Sequence, residues 1–202
     1  MKVGEIGKEQ LVEYYDKAYS GEYKYWNWDP IHWMEISFIE NYCDFPSYPQ
    51  ILDVGCGVGR FAELLGRMPW KELDYSGFDF SPEAIKQTKE RVPGIADYVW
   101  VGDAYDRKNY KKFKYNMIVC SEVLEHLDDL RLLENIPKGC PIIGSVPTFG
   151  DRAHVRTYDF PDFIDRFSDL IEVKHVEAIE RFLSFKNSDY KLKWYVFLAV
   201  KK

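Results

Sequence analysis

Up to the Pro-containing stretch FPSYPQ at Phe45 to Gln50, apolar positions recur at helical spacing; beyond it, short apolar runs alternate with amphipathic segments. KEQLVEYYDKAYS predicts a helix ending near Gly21, and DPIHWMEISFIENYC predicts a second, with Asp29 as N-cap and Pro30 at the first helical position. Further on, QILDVG reads as a strand, VGRFAELLGRM as a helix, YSGFDF as the end of a strand, and SPEAIKQTKERV as a helix opened by Ser81 and Pro82. DYVWVG, NMIVCS and PIIGSV follow as strands, with shorter helical pieces between them. IEVKHVEAIE and KWYVFLAV have no long helix between them and predict an antiparallel pair. The pattern is that of an α/β fold, a doubly wound and mostly parallel sheet with helices on both faces. It divides the chain into an aromatic-rich helical N-terminal cap, residues 1–48, and a core, residues 49–202, within one structural domain.

In such sheets ligands bind at the carboxyl ends of the strands. The stretch ILDVGCGVGR sets Gly55, Gly57 and Gly59 directly after a buried strand, where a ligand approaches backbone closely and meets unpaired amides at a helix start. The spacing is G-x-G-x-G, not the G-x-G-x-x-G of dinucleotide binding: Arg60 stands where the third glycine of that fingerprint belongs. A nicotinamide oxidoreductase is therefore the less favoured enzyme class. Asp79 closes the second strand, where a carboxylate accepts both hydroxyls of a ribose, and Asp103 closes the third, suited to an adenine amino group. Alone, the first reads equally as a helix cap and the second as a turn former. In register with the glycine loop, the strand ends offer contacts for the parts of an adenosine.

Composition narrows the partners. A formal charge of −6 argues against broad binding to nucleic acid, which rests on phosphate neutralisation; the one basic run, RKNYKKFK from Arg107 to Lys114, reads as a solvated connector between strands. No apolar stretch approaches the ~20 residues that span a bilayer, and the start MKVGEIGKEQ lacks a secretory apolar region. Cys43, Cys56, Cys120 and Cys140 are widely separated and form no CxxC pair, which fits a reduced compartment. The expectation is a cytoplasmic protein without membrane contact; the oligomeric state is left open.

DVGCGVGRFAE, GFDFSPEAI, GDAYD and NMIVCSEVLEHLDD, in this order and spacing, resemble the successive motifs of class I S-adenosylmethionine-dependent methyltransferases, strongly from Ile51 to Pro147 and loosely beyond. The resemblance implies a seven-stranded Rossmann-like methyltransferase sheet with a C-terminal antiparallel hairpin. It implies S-adenosyl-L-methionine as cofactor and S-adenosyl-L-homocysteine as product. Asp53 and the loop Gly55, Cys56, Gly57 and Gly59 then lie near the methionine moiety, Asp79 with Phe80 at the ribose, and Asp103 at the adenine, flanked by Ala104 and Tyr105. Ser121 and Glu122 sit on the methionine side.

For the chemistry at the methyl group, SEVLEHL sets Glu122, Glu125 and His126 at i, i+3 and i+4, one face if the strand runs into a helix there. SVPTFGDRAHVRTYD sets His154, Arg156 and Tyr158 beyond the fifth strand. Histidine titrates nearest neutrality, so His154 and His126 are the candidates for taking a proton, with His154 favoured because its loop lies beyond a strand end; Glu122 completes the catalytic set. Glu122, Glu125, His126 and His154 together also suit a divalent metal, an arrangement that resembles small-RNA 2′-hydroxyl methyltransferases and, more loosely, ubiquinone-pathway O-methyltransferases. Structural ion pairing or solvent exposure is the favoured role of Glu125, and a metal is not favoured. Tyr14, Tyr15, Tyr19, Tyr23, Tyr25, Trp26, Trp28 and Trp33 read equally as a hydrophobic lid and as a substrate clamp. The expectation is methyl transfer to a small-molecule acceptor, at oxygen, by in-line displacement. The alternatives are a metal-assisted hydroxyl methyltransferase acting on RNA or a catechol-like substrate, and a noncatalytic S-adenosylmethionine-binding partner module.

Overall fold

Every apolar run of the body becomes a strand of one sheet in the computed structural model, which describes residues 4–5, 7–22, 29–44, 48–70, 72–185 and 188–202. The strands are β1 (Gln50–Val54), β2 (Asp74–Asp79), β3 (Val99–Val101), β4 (Met117–Ser121), β5 (Pro141–Pro147), β6 (Ile171–Phe185) and β7 (Ser188–Lys201). Their spatial order is β3-β2-β1-β4-β5-β7-β6. The first five run parallel; β7 lies antiparallel to β5, and β6 antiparallel to β7. This is the Rossmann-like sheet with a terminal antiparallel hairpin. Strand order reverses beside β1, so the carboxyl ends of β1 and β4 border the crevice where ligands of such sheets bind.

The central strands β1, β4 and β5 are buried on both faces because they are apolar at nearly every position. Leu52, Phe78, Ile118 and Cys120 face one core, while Ile51, Met117, Val119 and Val196 face the other. The helices are α1 (Val12–Lys17), α2 (Asp29–Tyr42), α3 (Arg60–Leu65), α4 (Pro82–Arg91), α5 (Asp129–Leu133) and α6 (Phe160–Phe167). Ser81 caps α4 as its sequence predicts, accepting from the Ala84 amide at 3.1 Å. α1 is shorter than its apolar pattern: it starts after an uncapped Leu11 and passes into a π-helical turn, Ala18–Glu22, that Gly21 interrupts with φ 145°. α2 buries Ile31, Ile36, Phe38 and Ile39 against the second core. The terminal hairpin is longer than the sequence pattern: β5 pairs with β7 only from Trp194 to Val200, so the rest of the ribbon runs on past the sheet. Tyr23, Tyr25, Trp26 and Trp28 lie outside the described residues. No helix among the described residues is long and apolar enough to cross a membrane.

Behind the strand ends, α5 is anchored by the fully buried Asp129, which accepts from Tyr158 Oη at 2.6 Å and from Arg166 Nη2 and Nε at 2.6 and 2.7 Å. Arg156 Nη1 adds an ion pair at 3.1 Å. Arg156 and Tyr158 thus belong to a structural cluster. Removing one member of a buried charge network strands the others, so Asp129→Ala should cost on the order of 3–5 kcal/mol in urea denaturation. A loss near 0.5 kcal/mol, roughly the scale of an exposed pair, would show that water reaches the cluster.

Candidate active site

The loop after β1 is shaped by glycine. Gly57 and Gly59 have φ of 54° and 76°, left-handed values at which a side chain is strained. A Cβ on Gly59 would meet Thr88 Cγ2 at 2.7 Å, whereas a Cβ on Gly57 would come into ordinary contact with Tyr19 Oη at 3.5 Å. One glycine is needed for packing the loop on α4; the other leaves room above the backbone.

That room is a cavity of about 280 Å³ at the carboxyl edge of the sheet. Of the residues expected to hold a cofactor, Asp53, Gly55, Cys56, Gly57, Asp79, Phe80, Asp103, Ala104, Ser121 and Glu122 line it; Gly59 does not and serves as the N-cap of α3. Glu9, Gln10, Tyr15 and Tyr19 form further wall from the N-terminal segment. Tyr15 packs edge-on against Phe80 and His126, with ring centroids 5.0 and 5.8 Å apart.

The carboxylates differ in their surroundings. Asp79 accepts from the Gly57 amide through Oδ2 at 3.0 Å and from the Ser81 amide through Oδ1 at 2.9 Å. Burial raises its pKa, and those two bonds oppose the rise. Asp53 accepts from Tyr75 Oη at 2.7 Å, yet burial pushes it up to about 7. Asp103 lies two residues beyond β3 and accepts from the Tyr105 amide at 2.8 Å.

SEVLEHL does not form the expected helix. Glu122 is left-handed, with φ 54°, and only a 3-10 turn, Leu124–His126, follows. The neighbouring strands impose the break: the Glu122 amide donates to Ser145 Oγ of β5 at 3.1 Å, and Trp194 Nε1 of β7 donates to Glu122 Oε2 at 2.9 Å. The single helical face shared by Glu122, Glu125 and His126 is therefore absent. Glu125, His126 and His154 do converge, with one ligand-capable atom each within 4.8 Å of the others, and Glu122 stands outside that group. Glu125 is fully buried, and neither of its oxygens has a hydrogen-bond partner among the described residues. Burial, then the neighbouring Glu122, holds its carboxyl well above the ordinary range; burial likewise raises Glu122. The one ion-pair partner within reach among the described residues is His126, whose Nε2 lies 3.7 Å from Glu125 Oε1 and carries charge only when protonated, and solvent exposure is ruled out by burial.

His126 lines the cavity. Its Nδ1 sits 3.1 Å from the Ala153 carbonyl, which assigns the proton to Nδ1 and the lone pair to Nε2. Burial and the nearby His154 bring its pKa down to about 4. His154, expected to be nearer the reacting atoms, lies behind His126 with ring centroids 5.0 Å apart and does not line the cavity. Its Nδ1 is turned to the Phe149 carbonyl at 3.0 Å, because the chain from Phe149 folds back on itself.

Sequence reasoning passed over one pair. His32 lines the cavity and Glu35 lies buried beside it, both on the inward face of α2. Their i, i+3 placement among Ile31, Ile36 and Ile39 was the available signal.

Residues 52–138 match the family described as "Methyltransferase domain". A trans-aconitate 2-methyltransferase from Afipia carboxidovorans is 43% identical over 44 residues, which is 22% of this chain and 17% of that protein, so the match spans about a sixth of the relative's length. A SAM-dependent methyltransferase from Anabaena variabilis superposes over 100% of both chains with a TM-score of 0.70 at 10% identity. Another from Methanosarcina mazei covers 81% of this chain and 96% of its own with a TM-score of 0.57 at 17% identity. Residues 52–138 are thus similar to a methyltransferase domain, and the whole chain shares the fold of S-adenosylmethionine-dependent methyltransferases.

The buried Glu125 has a stability consequence. A carboxyl whose folded pKa is raised stabilises the fold fully below its unfolded value and loses that contribution as pH rises toward the folded pKa. With a chelator present, Glu125→Gln should therefore gain in melting temperature over the parent protein more at pH 8 than at pH 5, up to about 1.4 kcal/mol per pH unit. An equal difference at both pH values would mean that Glu125 ionises as freely in the fold as out of it.

Proposed function

We propose that the cavity binds S-adenosylmethionine and that the protein transfers its methyl group to a small-molecule acceptor at oxygen, releasing S-adenosylhomocysteine. The observation that carries this reading is the convergence of Asp53, Asp79 and Asp103, the ends or near-ends of three adjacent parallel strands, with the Gly57 backbone on one cavity. The fit is chemical as well as spatial. Each Asp79 oxygen holds one backbone amide and keeps a lone pair for a ribose hydroxyl. Asp103 and Ala104 stand at the adenine end, and Ser121 and Glu122 at the methionine end.

When bound, S-adenosylmethionine supplies a methyl group on a positively charged sulfonium, already activated for in-line displacement. The protein's contribution is placement, worth on the order of 7–11 kcal/mol, and a positioned base adds roughly 10²–10⁴-fold. Tyr15 and Tyr19 shield the reacting end from water. Glu122 is the base in this reading: Trp194 fixes Oε2, Oε1 has no hydrogen-bond partner among the described residues, and burial moves the carboxyl toward neutrality, where proton transfer is most effective. His126 is a weaker base, and its Nε2 serves to accept a hydrogen bond from the acceptor hydroxyl. His154 positions His126. The many carboxyl groups and the aromatic walls favour a neutral or cationic acceptor over a polyanion.

A second reading rests on Glu125, His126 and His154. His126 Nδ1 lies at a backbone carbonyl, His154 Nδ1 lies between the Phe149 carbonyl and the Asp151 amide, and the Glu125 carboxyl has no hydrogen-bond partner among the described residues, a set that would suit a divalent cation. Such an ion would orient acceptor hydroxyls and ease their ionisation.

Binding is tested by calorimetry with S-adenosylhomocysteine and with reduced nicotinamide cofactor: the first should bind and the second should not. Asp79→Asn should weaken S-adenosylhomocysteine by roughly tenfold or more through lost charge-assisted hydrogen bonds. Turnover is tested by mass-spectrometric screening of a metabolite pool for a gain of one methyl group. Glu122→Gln should lower that turnover about 10²-fold or more with cofactor affinity nearly unchanged. Loss of activity with chelator and its return with added divalent ion would favour the metal reading, and tight binding without any turnover would favour a noncatalytic module.

A further inference from the structure

The polar pair on α2 lies at the end of the cavity opposite Asp103 and Ala104. His32 is in the first turn of α2, and Glu35 is one turn on; both side chains are buried on a face otherwise apolar. Packing gives no reason for them, since an imidazole and a carboxyl set among isoleucines are costly to desolvate. The ring is fixed from two sides. Nδ1 donates to Glu35 Oε2 at 3.0 Å, and Phe61 packs edge-on with its centroid 5.7 Å away. Ser121 Oγ lies 3.4 Å from the same Nδ1. Nε2 has no hydrogen-bond partner among the described residues, and the ring lines the cavity beside Asp53 and Ser121.

We infer that His32, oriented by Glu35, recognises the amino-acid head group of the cofactor, donating from Nε2 to its α-carboxylate. The inference rests on the reading of the cavity as an S-adenosylmethionine site. With the adenine at Asp103 and the ribose at Asp79, the remaining chain of the ligand runs toward the ends of β1 and β4, where His32 stands. The head group is a zwitterion. Its ammonium meets Asp53 and Ser121, whereas its carboxylate would face acidic side chains and needs a donor. Arg60, also on the wall, has three of its donors turned to Asp29 and Glu63, at 2.7, 2.5 and 2.6 Å. His32 is the imidazole donor beside Asp53 and Ser121 at the ends of β1 and β4. In the complex the ring has a carboxylate on each side, Glu35 at Nδ1 and the ligand at Nε2. Glu35 is a positioning residue here.

The test compares two probes that share the nucleoside: S-adenosylhomocysteine, which carries the head group, and 5′-methylthioadenosine, which lacks it. Dissociation constants are measured by calorimetry on the full chain. The parent protein should bind S-adenosylhomocysteine more tightly by roughly tenfold or more, the worth of a hydrogen bond to a charged group. His32→Asn keeps a donor toward Glu35 and removes the Nε2 position; it should erase most of that preference while leaving 5′-methylthioadenosine within about twofold of its parental value. His32→Gln, which retains a donor near the Nε2 position, should recover part of it, and Glu35→Gln should weaken only the head-group probe. If His32→Asn fails to fold in a thermal melt, the Gln variants carry the test. Equal loss of both probes, no loss of either, or a parent protein indifferent to the head group would overturn the inference. A parent that binds neither probe would instead overturn the cofactor reading itself.

Discussion

The carboxylate of Asp79 is the point on which the edge of the sheet depends. It joins the amide of Gly57, in the loop after β1, to the amide of Ser81, at the start of α4. Ser81 in turn caps α4 and donates its hydroxyl to Asp16 of α1. From α4, Thr88 Oγ1 reaches back to the Gly57 carbonyl at 2.7 Å, and Gln87 Nε2 donates to the Tyr19 carbonyl at 2.8 Å. Loop, helix and N-terminal wall are thus held in one network. A buried carboxylate is tolerated only where such donors meet it, and the need to satisfy it fixes the geometry of the cavity.

The interior carries acids in two kinds of setting. Asp129 is met by two guanidinium groups and a phenol, which leaves its charge fully compensated and makes it structural. Among the described residues, the Glu125 carboxyl has no hydrogen-bond partner and Glu122 keeps one buried oxygen without one. The same fold supplies complete compensation in one place and withholds it a few residues away. Burial without pairing raises carboxyl pKa values, and a cavity is where a protein bears that cost for chemistry. The uncompensated acids of this molecule gather around the ends of β1 and β4, where strand order reverses, which ties the electrostatics to the topology.

The conservation of likeness among distant folds fits this division. At 10% identity the Anabaena variabilis protein still shares the architecture. The sheet needs only apolar runs of the right length and turns that accept glycine, requirements that many sequences meet. The rest of the cavity wall is built from α2, the N-terminal segment and the turn after β4.

The strands, the α4 cap and the glycine loop were legible in the sequence because each rests on local rules: period of apolar residues, a serine cap, glycine at left-handed positions. The antiparallel hairpin was legible too, since no helix separates its strands. The turn at SEVLEHL was not. Its residues have helical spacing, but hydrogen bonds from β5 and β7 hold Glu122 in a left-handed conformation, and strands far along the chain leave no trace in a local pattern. For the same reason His154 falls behind His126, and His32 with Glu35 comes to the cavity wall. The sequence by itself determined the elements and the cofactor edge of the sheet, where backbone conformation is governed by neighbours in the chain; only the tertiary structure decided which polar side chains face one another, because burial and hydrogen-bond partners are properties of the assembled sheet and helices.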